Sequence, residues 1–194
     1  MKVGIVYAGV GGQGVLTASS IVGKAALLSG LNVVMSEVHG MAQRGGIVVT
    51  EMKIGREVKS PLLGSGEADI VVGFEPVEAY RILHKAHPGS YVVVNTEPII
   101  PTTVSIQGER YPEVKEIIEK MKDLKVISLE ATELARQAGD AIATNIVMLG
   151  ALAKIPVFPI KKETLIEALK STINPRYHEM NLKAFELGYN ASSL

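Results

Sequence analysis

Four glycines and a glutamine crowd the stretch GVGGQG at residues 9–14. Gly9, Gly11 and Gly14 satisfy the spacing G-x-G-x-x-G. Such glycines let a chain turn sharply and bring backbone N–H groups close to a phosphate. The start of a following helix adds free N–H groups and a favourable dipole for an anion. Gly12 and Gln13 put an extra glycine and an amide into that turn. A second cluster follows in SEVHGMAQRGG, residues 36–46. There a carboxylate, an imidazole, an amide and a guanidinium, from Glu37, His39, Gln43 and Arg44, fall close together. A guanidinium suits a phosphate or carboxylate through two parallel contacts. Gly45-Gly46 implies close approach of another backbone or a ligand. If both clusters sit at the carboxyl ends of strands, they face one crevice. The plainer alternative for the second cluster is a polar hairpin.

Other chemistry is narrowed by what is missing. There is no cysteine. Disulfides, thiolate zinc sites, a cysteine nucleophile and Fe–S clusters held by the chain's own thiolates are excluded. Among the four histidines, His84 and His87 stand three apart, a spacing that one helix face presents to a metal. With no carboxylate or third imidazole at ligand spacing, a solvated helix end is the simpler reading.

Lys+Arg and Asp+Glu balance at 20 each, which gives no reason to expect nucleic acid or an anionic membrane as a partner. No apolar run reaches the length of a membrane span. The N-terminal stretch lacks the long apolar core and cleavage site of a signal peptide. A cytoplasmic protein is the expectation. The 47% hydrophobic content allows a sizeable core, and 194 residues suit one domain.

The elements that position the two clusters follow from the apolar pattern. VGIVYA at 3–8 reads as a buried parallel strand, and residues 14–29 as a helix with one buried face, closed by Gly30. LNVVMSEV at 31–38 is a second strand, so a parallel crossover is expected. IVVTEMKIG at 47–55 alternates, which predicts a strand with one wetter face. Further strands fall at 68–74, 91–96 and 125–130, and a helix opens at Glu75-Pro76 and runs to about Lys85. Residues 97–111 read as irregular chain with a short strand, and 112–123 as an amphipathic helix. From 131 onward the chain reads as helical, broken at Gly139. The sum is an α/β fold: a three-layer α/β/α arrangement around a Rossmann-like, mostly parallel sheet, in a single domain spanning 1–194 with a helical C-terminal section.

GVGGQGVLTAS together with SEVHGMAQRGGIVVTEMKIG resembles the gamma subunit, or gamma-type domain, of 2-oxoacid:ferredoxin oxidoreductases. Within that family the SEVHGMAQRGG form is most similar to the small beta subunit of the indolepyruvate enzymes. The resemblance covers essentially the whole chain. It implies a subunit of an enzyme that oxidatively decarboxylates a 2-oxoacid, joins the acyl group to coenzyme A and reduces ferredoxin. It places thiamine diphosphate and Fe–S clusters on a larger alpha subunit, so this chain alone holds no cofactor, is inactive by itself and carries no catalytic residue. The glycine turn, Gly9, Gly11, Gly12, Gln13 and Gly14, then serves coenzyme A phosphates. Glu37, His39, Gln43 and Arg44 then meet substrate or the partner subunit. A lone chain is expected to expose partner surface through which it dimerises. A thiamine diphosphate motif is not found: Ala138-Gly139-Asp140 with Asn145 lies in a helical, alanine-rich setting and reads as a helix break.

Two alternatives remain from the residues themselves. One is a stand-alone NAD(P)-binding oxidoreductase, with Glu37 on the ribose. The other is a non-catalytic assembly module whose glycine turn touches only protein.

Overall fold

A computed structural model describes residues 2–40, 45–100 and 110–192. Six strands form one sheet: β1 (Lys2–Val10), β2 (Asn32–His39), β3 (Ile47–Gly55), β4 (Ala68–Gly73), β5 (Ala86–Asn95) and β6 (Lys125–Leu129). Among the described residues, seven helices accompany them: α1 (Val15–Leu28), α2 (Pro76–Arg81), α3 (Val114–Glu119), α4 (Ala131–Ala138), α5 (Thr144–Leu152), α6 (Lys162–Thr172) and α7 (His178–Ala191). The strand order is β2-β3-β1-β4-β5-β6. β1, β4, β5 and β6 run parallel, and β3 runs antiparallel to both of its neighbours.

β1, α1 and β2 make the expected crossover, and β2 points the same way as β1. The two are not neighbours, however. β3 folds back into the gap, pairing Tyr7 with Thr50 on one side and Glu37 with Thr50 on the other. The reason is connection length. A parallel return needs a dozen or more residues, and the chain between β2 and β3 is far shorter, so it can only reverse.

The wetter face expected for β3 is covered. Glu51 and Lys53 are each 8% exposed. The chain after β3 folds over them: Glu51 accepts from the Leu63 N–H at 2.5 Å and pairs with Lys85 at 2.8 Å, and Lys53 pairs with Glu67 at 3.2 Å. Buried charges survive because each has an opposite partner.

Helices α1 and α4–α7 share a core with one face of the sheet, centred on Tyr7, Met52, Ile70 and Val93. The other face, with Val6, Val71 and Val92, packs on residues of α2 and α3. The three layers follow from β1, β4 and β5 being apolar on both sides. α1 ends as a left-handed glycine turn: Gly30 has φ 71°, and the N–H of Leu31 returns to the Ala26 carbonyl at 3.0 Å. Glu75 caps α2, accepting from the Glu78 N–H at 3.0 Å. The same buried carboxylate accepts from Tyr111 Oη and the Ile99 N–H.

Three element limits differ from the pattern. The helix from Pro76 stops at Arg81 and continues as a tight 3-10 turn, Leu83–Lys85. His87 lies on β5 rather than on that helix, so the two histidines share no helix face. α3 covers only Val114–Glu119 of the expected 112–123. The short strand sought within 97–111 falls largely on 101–109, outside the described residues.

Candidate functional site

The glycine turn joins the carboxyl end of β1 to α1, at the point where the sheet order reverses. The chain leaves β1 toward β2 on one side, while β4 lies on the other. Crevices in open α/β sheets form at such points.

Each glycine has its own reason. Gly12 and Gly14 have φ 104° and 74°, left-handed values that disfavour a side chain. Gly9 is a packing glycine: a Cβ there would lie 2.8 Å from Gln13 Oε1 and from Phe74 Cβ, and 2.9 Å from Val15 Cγ2. Gly11 donates its N–H to the Gly46 carbonyl at 2.8 Å, tying the turn to the chain just before β3.

Gly14 caps α1 without any side-chain bond, and the first turn of α1 carries no acidic residue. Among the described residues, the N–H groups of Gly12, Gly14, Val15, Leu16 and Thr17 have no partner. These are the free donors that make a helix start attractive to an anion. They border a cavity of about 440 Å³ lined by Val10, Gly11, Gly12, Gly14, Val15, Leu16, Thr17, His39, Gly40 and Val48. That volume lies within the range of small-molecule sites.

The structure therefore brings the first cluster and part of the second together. His39 lines the cavity opposite the turn. Glu37 does not line it. Glu37 lies on the same side of β2 and meets His39 Nε2 through Oε2 at 3.4 Å. The ribose contact required by a stand-alone NAD(P) enzyme is thus not favoured. Gln43 and Arg44 fall outside the described residues. Gln13 turns its side chain away from the large cavity: its Oε1 accepts from the Val10 N–H and its Nε2 donates to the Phe74 carbonyl, both at 2.8 Å.

A second cavity of about 180 Å³ adjoins the turn on its other side. It is lined by Gly12, Gln13, Asn95, Glu97, Ile99, Thr132, Ala141, Ile142 and Thr144. Asn95 is a residue that sequence reasoning passed over. Its signal was a lone amide at the carboxyl end of the apolar run YVVVN. Asp140 accepts from the Ile142 N–H at 2.9 Å, and Asn145 is buried beside Gly14. Those contacts suit a helix break and a packing contact, not a thiamine diphosphate site. With no cysteine in the chain, the donor set does not fit an Fe–S cluster either. Among the described residues, no helix is long and apolar enough to cross a membrane.

A mostly parallel six-stranded sheet with a glycine turn at its switch point places the chain in the Rossmann-like α/β class. The chain belongs to the pyruvate ferredoxin/flavodoxin oxidoreductase family, whose pattern matches residues 4–191. It is 42% identical over 192 residues to indolepyruvate oxidoreductase subunit IorB of Archaeoglobus fulgidus, covering 98% of this chain and 95% of that one. The subunit of the same name from Methanothermobacter thermautotrophicus is 43% identical over 195 residues, covering 100% and 99%. Among solved structures, the fold matches 2-oxoglutarate:ferredoxin oxidoreductase from Magnetococcus marinus, solved with 2-oxoglutarate, coenzyme A and succinyl-CoA bound. The TM-score is 0.76 at 22% identity, over 98% of this chain and 31% of that one.

Proposed function

We propose that this chain is the small subunit of an indolepyruvate-type ferredoxin oxidoreductase, inactive alone, and that its glycine turn holds the phosphates of coenzyme A. The observation that carries the ligand reading is the uncapped start of α1, whose unpartnered N–H groups border the large cavity. Identity of 42% and 43% across nearly the full length of two indolepyruvate subunits supports the substrate branch. The coenzyme seen with the Magnetococcus enzyme fits the anion chemistry of the turn.

In this reading a larger subunit supplies thiamine diphosphate for the carbanion chemistry and Fe–S clusters for passing electrons to ferredoxin. This chain binds and orients the coenzyme. Gly9, Gly11, Gly12, Gln13 and Gly14 form the cradle. His39 stands on the cavity wall, and Glu37, His39, Gln43 and Arg44 serve to meet substrate or the larger subunit. Without that subunit, the exposed contact surface lets the chain pair with itself. The complex works in the cytoplasm.

Co-purification with a large cluster-bearing subunit, followed by an assay with indolepyruvate, coenzyme A and an electron acceptor, tests this. Activity is expected only from the assembled pair. Full coenzyme A-dependent activity of the large subunit alone would overturn the proposal.

A further inference from the structure

Two amides, half-buried Gln13 and buried Asn95, meet on one carbonyl beneath the glycine turn. The Phe74 carbonyl, just past the end of β4, accepts from Gln13 Nε2 at 2.8 Å and from Asn95 Nδ2 at 3.2 Å. Each amide is anchored at its other end. Gln13 Oε1 accepts from the Val10 N–H at 2.8 Å. Asn95 Oδ1 accepts from the Ala131 N–H at 3.1 Å, and its Nδ2 also lies 3.2 Å from Thr132 Oγ1. The series crosses the carboxyl edge of the sheet from the β1 turn through β4 and β5 to the start of α4. Asn95 is 1% exposed.

We propose that Gln13 and Asn95 are positioning residues for the glycine-turn site. They brace the turn against β4 and β5, so that its free N–H groups stay aimed into the large cavity. Their own side chains touch no ligand. Gln13 accepts at one end and donates at the other, and only a side chain with both capacities closes the gap between Val10 and Phe74. The packing agrees: a Cβ on Gly9 would meet Gln13 Oε1 and Phe74 Cβ, each at 2.8 Å, and Val15 Cγ2 at 2.9 Å. The proposal rests on the coenzyme reading above for the identity of the ligand, but not for the brace itself.

Gln13→Glu separates bracing from general packing. A glutamic acid matches the amide in shape. Protonated, it donates to the Phe74 carbonyl; ionised, it has nothing to donate and repels the carbonyl oxygen. The ionisable groups facing the same small cavity are Glu97 and, through its 3.1 Å ion pair with Glu97, Arg136. Measuring the same ratio in a Glu97→Gln background removes the coupling of that carboxylate to the new one.

The test is calorimetric binding of coenzyme A to the assembled two-subunit enzyme, wild type and Gln13→Glu, across pH. The expected dissociation constant of the variant is raised about tenfold at about pH 8 and converges on wild type at about pH 5. A ratio flat in pH overturns the proposal. Asn95→Asp, which keeps the Gln13 bonds, serves where Gln13→Glu does not assemble. It should show the same convergence, with a smaller rise of about threefold. Hydrogen exchange at the Gly11 and Gln13 amides, which are bonded to the Gly46 and Val10 carbonyls, distinguishes the two ideas. Wild-type enzyme that binds no coenzyme A sinks the coenzyme reading. The brace then stands or falls on whether exchange at those amides quickens in Gln13→Glu at high pH only.

Discussion

Asn145, on the buried helix α5, reaches back across the chain to the glycine turn. Its Nδ2 lies 3.4 Å from the Gly14 carbonyl, and a Cβ on Gly14 would come within 2.6 Å of that same nitrogen. The C-terminal helices thus set the space around the turn, in addition to covering the sheet. Gly14 is constrained twice, by its positive φ and by Asn145.

Gly14→Ala should therefore destabilise by more than the backbone cost of about 1–2 kcal/mol. Asn145→Ala in the Gly14→Ala background should recover the steric part and leave the backbone part. A double-mutant cycle by urea unfolding measures the difference; strictly additive losses would show that the two residues do not meet.

Thr17 lies in the first turn of α1 and lines the large cavity. A carboxylate there suits the helix dipole, so Thr17→Glu should stabilise the fold by about 0.3–1 kcal/mol. The same carboxylate repels a bound phosphate. Coenzyme A affinity of the assembled enzyme should drop about tenfold or more, most strongly at low salt. Opposite signs in a melting curve and a binding isotherm are the expected signature; unchanged affinity would place the phosphates elsewhere.

Tyr7 and Thr50 face each other across β1 and β3, both fully buried, and neither hydroxyl has a partner among the described residues. Burial pushes the Tyr7 phenol far above its usual range. Removing a buried, unpartnered hydroxyl relieves a desolvation cost. Tyr7→Phe should raise stability by about 1 kcal/mol, read as a higher urea midpoint. A clear loss would mean that the hydroxyl has found a partner such as an ordered water.

Glu78, in α2, is largely buried. Desolvation pushes its carboxyl up, Arg81 pulls it down, and the nearby Glu75 pushes it up again, for a net rise. A folded-state value above the unfolded one means that Glu78 favours folding fully only below the unfolded value of about 4.3. That contribution is lost as pH rises through the higher folded value. Glu78→Gln should therefore be more stable than wild type near neutral pH, with the gap closing as pH falls below about 4. The ion pair it forfeits, 3.2 Å to an exposed Arg81, contributes little. Urea midpoints measured against pH check this.

The strands were readable because β1, β4 and β5 are near-continuous apolar runs, and the glycine turn because its spacing is local. The slot taken by β3 was not. IVVTEMKIG looks the same whichever strand it pairs with, and the burial of Glu51 and Lys53 depends on Leu63 and Glu67 folding over them later in the chain. Likewise, Asn95 and Asn145 are ordinary amides until β5, α4 and α5 carry them to the turn. Glu37 was readable as a carboxylate near the crevice, but its partner His39 was settled by strand pleating, which puts residues two apart on one face.

Among the described residues, the unpartnered donors around the large cavity are main-chain N–H groups, and every residue other than proline has one. Short of a change to proline, a substitution cannot delete them; it can only misplace them. A conventional alanine scan of this pocket would therefore return mostly silent positions, with losses concentrated at Gly12 and Gly14 and at the amides that hold the turn. Side chains bordering the cavity can therefore change while its main-chain donors stay the same. On the coenzyme reading, this turn is where side-chain identity says least about what is bound.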